Sequence, residues 1–204
     1  MKRLFVIGLT GPTGAGKSTV AQALREREIP VLDCDIVARG ITEKGSPVLA
    51  ELAQAFGTDI LLPDGTLNRR LLGSRAFCDE TKTKLLNHIT HPAIMGKIKD
   101  RLAELAQEGN NIAVLDAPTL FEAGADALCD FTVCVTAGEE TRLRRIMERD
   151  KISEEQARLR MSAQKPVEYY VRKSSFAVEN EDGAPVTRKI NLLLKKVEEA
   201  RNGV

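Results

Sequence analysis

Leu4-Phe5-Val6-Ile7-Gly8-Leu9-Thr10-Gly11-Pro12-Thr13-Gly14-Ala15-Gly16-Lys17-Ser18-Thr19-Val20 decides the fold. Residues 4–9 form a continuous apolar run, the pattern of a strand buried on both faces of a parallel sheet. Gly11, Gly16, Lys17 and Ser18 then satisfy the spacing G-x-x-x-x-G-K-[ST]. Residues 19–27 read as a helix with Val20, Ala23 and Leu24 on one face. Strand, glycine turn and helix in that order make a phosphate cradle. Glycines let successive backbone N–H groups turn inward, and the helix start adds partial positive charge. The predicted nucleotide contacts are Gly14, Ala15, Gly16, Lys17, Ser18 and Thr19. Lys17 reaches the outer phosphates of ATP, and the Ser18 hydroxyl suits a magnesium ion.

Moving outward, Pro30 closes the helical region and residues 31–33 read as a second strand ending in Asp33. This is the start of a right-handed βαβ unit. In open α/β sheets the C-terminal strand ends face the ligand crevice, so Asp33 is a candidate to orient or deprotonate an attacking hydroxyl. Asp35 fits two roles, a functional acid or the N-cap of a helix over 36–42. Residues 112–115 form another apolar strand ending in Asp116, the pattern of a magnesium-holding acid; the other reading is a turn cap before Pro118. Further strands are predicted at 131–135 and 177–178. A helix follows at 139–149, Ser153-Glu154-Glu155-Gln156 is a capping box, and residues 185–200 close the chain as an amphipathic helix.

Residues 35–107 are helical in period, with breaks at Gly45-Ser46-Pro47, Pro63-Asp64-Gly65 and His91-Pro92. His91-Pro92 reads as a helix start, where an imidazole can touch an anionic ligand; a structural role is the other, more common reading of His88 and His91. Arg142, Arg145 and Arg149, spaced three and four apart, share one helix face. Acids interleave with them, so a solvated face is one reading. Beside a phosphate loop, neutralisation of the transferring phosphoryl group is the other.

The expected fold is a three-layer α/β P-loop domain with a parallel sheet. Its core is 1–34, 108–138 and 175–204, with a helical insertion at 35–107 and a lid at 139–174. With 204 residues, one globular domain is expected. A net charge of +1 supplies no bulk field for nucleic acid or an anionic membrane, and 4% aromatics supply few stacking platforms. The four cysteines include no C-x-x-C, and no apolar run is long enough for a membrane span. The opening apolar run is too short for a signal peptide, and a cytoplasmic monomer is expected.

Taken together, these segments resemble the dephospho-coenzyme A kinase family over most of the chain. The residues are Gly8 to Ala21, Asp33-Cys34-Asp35-Ile36-Val37-Ala38-Arg39, Leu67 to Gly73 with Phe77, Leu86 with His91-Pro92, and Asp116-Ala117-Pro118-Thr119-Leu120-Phe121-Glu122. Arg145, Arg149, Arg160, Gln164 and Asn180 complete the likeness. Thr119 and Ser174-Ser175 depart from the usual residues. The resemblance implies transfer of a phosphoryl group from ATP, with Mg2+, to the ribose 3′-hydroxyl of dephospho-coenzyme A. It implies catalytic roles for Lys17, Asp33, Arg145 and Arg149, metal binding by Ser18 and Asp116, and nucleotide contact by Asn180. It places Asp33, Arg39, Arg70, His91, Leu120 and Glu122 on the acceptor. Another small-molecule P-loop kinase, or a slow nucleotide switch, is the alternative.

Overall fold

Gly8 and its neighbours on the first strand are sandwiched between two differently built faces. The structure, a computed structural model, describes residues 3–183 and 185–203. A five-stranded sheet in the order β2-β3-β1-β4-β5 organises the larger unit. Its strands are β1 Phe5–Thr10, β2 Val31–Asp33, β3 Ile112–Asp116, β4 Phe131–Thr136 and β5 Phe176–Glu179. β1 pairs in parallel with β3 and β4, and β4 with β5. Alternation along β1 sends Ile7 and Leu9 to one face and Gly8 to the other. Ile7 and Leu9 join Val20 and Leu24 of helix α1 (Lys17–Arg25) and Ile190, Leu193 and Val197 of helix α9 (Val186–Asn202) in one apolar core. On the opposite face a Cβ at Gly8 would lie 2.8 Å from Leu120 and 2.7 Å from Cys129, so glycine is required by close packing.

The chain divides into two compact units, Met1–Leu32 with Glu104–Val204, and Asp33–Ala103. The second unit holds α2 Cys34–Gly40, α3 Pro47–Phe56, α4 Arg69–Ala76 and most of α5 Glu80–Gln107. Leu52, Phe56, Ile60, Leu72, Ala76 and Ile89 form its core. Its helices start where side chains satisfy orphan amides: Ser46 caps α3 with Pro47 at the first helical position, and Asn68 caps α4. The cap of α2 is Asp33, which accepts from the amides of Asp35 and Ile36; Asp35 lies in the first turn instead. Pro63-Asp64-Gly65 is a tight turn closed by Leu62 N–H to the Thr66 carbonyl at 2.8 Å.

His91-Pro92 corrects the sequence reading. Both residues lie inside α5, which runs unbroken from Glu80 to Gln107. Pro92 cannot donate to the His88 carbonyl, a cost in a helix interior. The helix continues because Ile89 before it and Ile98, Leu102 and Leu105 beyond it are all buried.

Between β4 and β5 come α6 Glu139–Asp150, α7 Glu154–Ser162 and α8 Val167–Lys173. Leu143, Ile146 and Ala157 pack α6 on α7. Ser153 and Gln156 form the expected capping box, with both reciprocal bonds present. Among the described residues no helix is long and apolar enough to cross a membrane.

Candidate active site

The phosphate loop leaves β1 at the point where successive crossovers turn to opposite sides of the sheet, the position at which open α/β folds bind ligands. Leu9 stands opposite Asp116 in the β1–β3 register, and Ala117 N–H donates to the Leu9 carbonyl at 3.0 Å. The end of β3 is thereby fixed beside the loop, and Lys17 Nζ donates to Asp116 Oδ1. Both side chains are largely buried, at 19% and 7% exposed.

Three loop glycines have left-handed or neighbouring backbone. Gly14 and Gly16 have φ of 78° and 87°. A Cβ at Gly14 would meet the Arg142 carbonyl at 2.7 Å, and one at Gly16 would meet Asn180 Nδ2 at 2.1 Å. At Gly11, with φ 147°, a Cβ would strike the Val135 carbonyl at 2.3 Å. So Gly14 and Gly16 answer two needs at once, an unusual φ and a backbone in contact with its neighbours. Gly16 is the N-cap of α1 and no side chain caps that helix start. Its first amides and its dipole therefore remain for an anion.

A cleft of about 450 Å³ opens over this loop, lined by Lys17, Ser18, Thr19, Pro118, Arg149 and Gln164 among others. Ser18 and Thr19 are exposed, as a ligand-facing helix start requires. Asn180 is buried; its Nδ2 donates to the Ala15 carbonyl at 3.0 Å and its Oδ1 accepts from Lys189 Nζ at 3.0 Å. It braces the loop from the β5 side.

Arg142, Arg145 and Arg149 share one face of α6 and reach different atoms of the site. Arg142 is buried, its Nε donating to the Thr13 carbonyl at 2.9 Å. Burial pulls its pKa below the usual arginine value. Arg145 donates to the Asn180 carbonyl at 2.8 Å and to Asp182 at 2.6 Å, and reaches the Gly14 and Ala15 carbonyls at 3.4 Å. Arg149 is the most exposed of the three, at 60%, held by Asp150 at 2.8 Å and reaching the Thr13 hydroxyl at 3.5 Å. Asp150 is also bonded by Arg160, and its carboxyl is held below the usual range by the Arg149 bond.

The model for the family described as dephospho-CoA kinase matches residues 5–185. The chain belongs to the dephospho-CoA kinase family. It is 44% identical over 180 residues to the dephospho-CoA kinase of Anaeromyxobacter dehalogenans, covering 88% of this chain and 85% of the relative. It is 43% identical over 193 residues to that of Bacillus thuringiensis subsp. konkukian, covering 94% and 96%. Among solved structures, a Thermus thermophilus protein superposes with a TM-score of 0.82 at 32% identity, covering 97% of this chain and 98% of that one. A shikimate kinase from Bacteroides thetaiotaomicron, with a TM-score of 0.55 and 15% identity over 95% of this chain and 98% of that one, shares the fold.

Within this dephospho-CoA kinase family member, the larger unit brings together Gly14, Ala15, Gly16, Lys17, Ser18, Thr19, Asp116, Arg145, Arg149 and Asn180. Asp33, Arg39, Arg70 and His91 lie in the other unit. There Asp33 is half-buried at the end of β2, Arg39 and Arg70 are exposed, and His91 is half-buried inside α5. Leu120 corrects the expectation of ligand contact: it is fully buried and packs beneath Gly8, so it supports β1. Glu122 is exposed and faces Tyr170. Burial, with Glu122 beside it, pushes the Tyr170 phenol up to about 12. Thr13 and Asp182 were not legible as site residues, because only the folded chain brings α6 onto the loop.

Proposed function

We propose that this chain transfers the γ-phosphoryl group of ATP to the ribose 3′-hydroxyl of dephospho-coenzyme A. The products are coenzyme A and ADP, and the reaction is the last step of coenzyme A biosynthesis. The observation that carries this reading is family membership over residues 5–185 together with an intact phosphate loop whose lysine meets the β3 acid.

The loop amides and the start of α1 hold the phosphates, and Lys17 exchanges Asp116 for phosphate oxygens as ATP enters. Arg149, tethered by the adjacent Asp150 carboxylate and a long bond to the Thr13 hydroxyl, swings to the transferring group and neutralises charge that develops there. Arg145 is held by loop carbonyls and Asp182, so it fixes the loop's shape and the nucleotide side of the cleft. Asp33 takes the acceptor's 3′-hydroxyl proton; its Oδ1 caps α2, which fixes the carboxylate's orientation. Arg39, Arg70, His91 and Glu122 are the proposed acceptor contacts, and 33–103 the acceptor-binding unit. Residues 139–174 act as a lid, which excludes water that would otherwise accept the phosphoryl group.

A magnesium ion fits the donors here. Among the described residues no cluster of three or more His, Cys, Asp or Glu is present. Magnesium with a nucleotide takes few protein oxygens and keeps phosphates and water as its other ligands. The Ser18 hydroxyl and Asp116 carboxylate are hard oxygen donors of that kind. When bound, the ion supplies charge neutralisation on the phosphates.

A cytoplasmic monomer completes the proposal; the four free cysteines fit a reducing compartment. The test is ADP release with dephospho-coenzyme A, AMP, adenosine or shikimate as acceptor. Turnover that depends on dephospho-coenzyme A alone supports the reading, and turnover on AMP alone refutes it.

A further inference from the structure

Thr13 is held at every polar atom it possesses. Its N–H donates to Gln164 Oε1 at 2.7 Å, its carbonyl accepts from Arg142 Nε at 2.9 Å, and Arg149 approaches its hydroxyl at 3.5 Å. All three partners come from the 139–174 region, two from α6 and Gln164 from the link between α7 and α8. The Thr13 amide is therefore spent on a side chain and is withdrawn from the set of loop donors that faces phosphate.

This contact also settles which way round Gln164 lies. A backbone N–H is met only by the carboxamide oxygen, so the NH2 group is at the other end. Gln164 Nε2, with two donors, makes no hydrogen bond to any described residue. The same side chain lines the phosphate cleft beside Lys17, Pro118 and Arg149.

We infer that Gln164 is a phosphoryl-contacting residue: tethered to Thr13 through Oε1, it presents Nε2 to the terminal phosphate of a bound nucleoside triphosphate. The tether exchanges one loop amide for a carboxamide donor carried by the lid. A triphosphate then bridges loop and lid, whereas a diphosphate, ending one phosphate short, does not engage it. Gln164 thus distinguishes substrate from product within the same cleft. This inference rests on the proposed kinase function.

Calorimetric binding of ADP and of a non-hydrolysable ATP analogue, each with magnesium, tests it on the full chain and on Gln164→Glu. Glutamate keeps an oxygen for the Thr13 amide while removing the donor and adding negative charge. The variant is expected to lose about 10- to 100-fold in affinity for the analogue, with ADP affinity changed by less than about threefold. Gln164→Met removes the donor and the Thr13 tether together without adding charge, so analogue affinity is expected to fall by more than ADP affinity, which keeps the test open if Gln164→Glu does not fold. Equal weakening of both ligands in the folded variants means that Gln164 acts only through loop shape and overturns the inference, as does unchanged analogue affinity. Wild-type protein without acceptor-dependent turnover refutes the proposed function instead, and the ADP-versus-analogue comparison still decides the role of Gln164.

Discussion

Lys17 Nζ donates directly to Asp116 Oδ1, joining the phosphate loop after β1 to the acid that ends β3. The pair is mostly buried, so its attraction offsets part of the cost of taking both charges out of water. Lys17→Ala is expected to lower kcat by about 10²–10³, the usual cost of one preorganised donor to a developing oxyanion. It also removes the Lys17 ion pair from the largely buried Asp116, so thermal stability falls. Lys17→Ala/Asp116→Asn is expected to recover the melting temperature without recovering activity. Thermal melts and steady-state rates check both halves; near-normal turnover in the single variant refutes the role of Lys17.

Asp33 has two tasks that two substitutions separate. Asn keeps an oxygen for the amides of Asp35 and Ile36, so Asp33→Asn is expected to leave stability unchanged and to lower kcat by 10²-fold or more, on the order of a lost general base. Asp33→Ala also removes the cap, which costs about 1 kcal/mol. ATP affinity is unchanged in both. If the main effect of Asp33→Asn is weaker ATP binding, the acid belongs with the nucleotide.

The α6 arginines are expected to part company. Arg149→Ala, at an exposed site, lowers kcat with a stability change within about 0.5 kcal/mol. Arg142→Ala removes a buried side chain and leaves the Thr13 carbonyl without its donor, so stability falls by about 1–3 kcal/mol. Denaturant titration of the two variants distinguishes them, and equal stability losses contradict the assignment.

Acid is expected to loosen the 139–174 region first. Arg149 lowers the Asp150 carboxyl, and Arg145 followed by Arg144 lowers that of Asp182. Because these pKa values are depressed in the fold, the ion pairs contribute fully above the ordinary carboxylate value of 3.8. That contribution is lost as pH falls below it through the folded values. Hydrogen exchange of α6 and α7 is expected to be flat between about pH 5 and 8 after correction for intrinsic rates, with protection falling below about pH 4. Asp182→Asn makes that acid limb shallower, leaving the Asp150 share; an unchanged limb contradicts it.

The strands, the phosphate loop and the capping box at Ser153 were legible because each is a short-range pattern: an apolar run, a glycine spacing, a cap with its reciprocal partner. His91-Pro92 misled because proline commonly opens a helix, whereas here buried residues on both sides carry α5 through it. The seven-residue helix α8 gave too short a period to read. Spacing placed Arg142, Arg145 and Arg149 on one face, but their separate targets belong to α6, the loop and the β5–α9 connection meeting in space. The packing of Leu120 under Gly8 is equally a tertiary fact.

The acceptor, and the atom on it that is phosphorylated, define the reaction. Purified protein with ATP, magnesium and dephospho-coenzyme A, followed by phosphorus NMR, reads both at once. Stoichiometric ADP and a new phosphomonoester at the ribose 3′-position are expected, with both forming about 10²–10³-fold more slowly when Lys17→Ala is used. ADP appearing equally without dephospho-coenzyme A, or a phosphate at any other position, contradicts the proposed reaction.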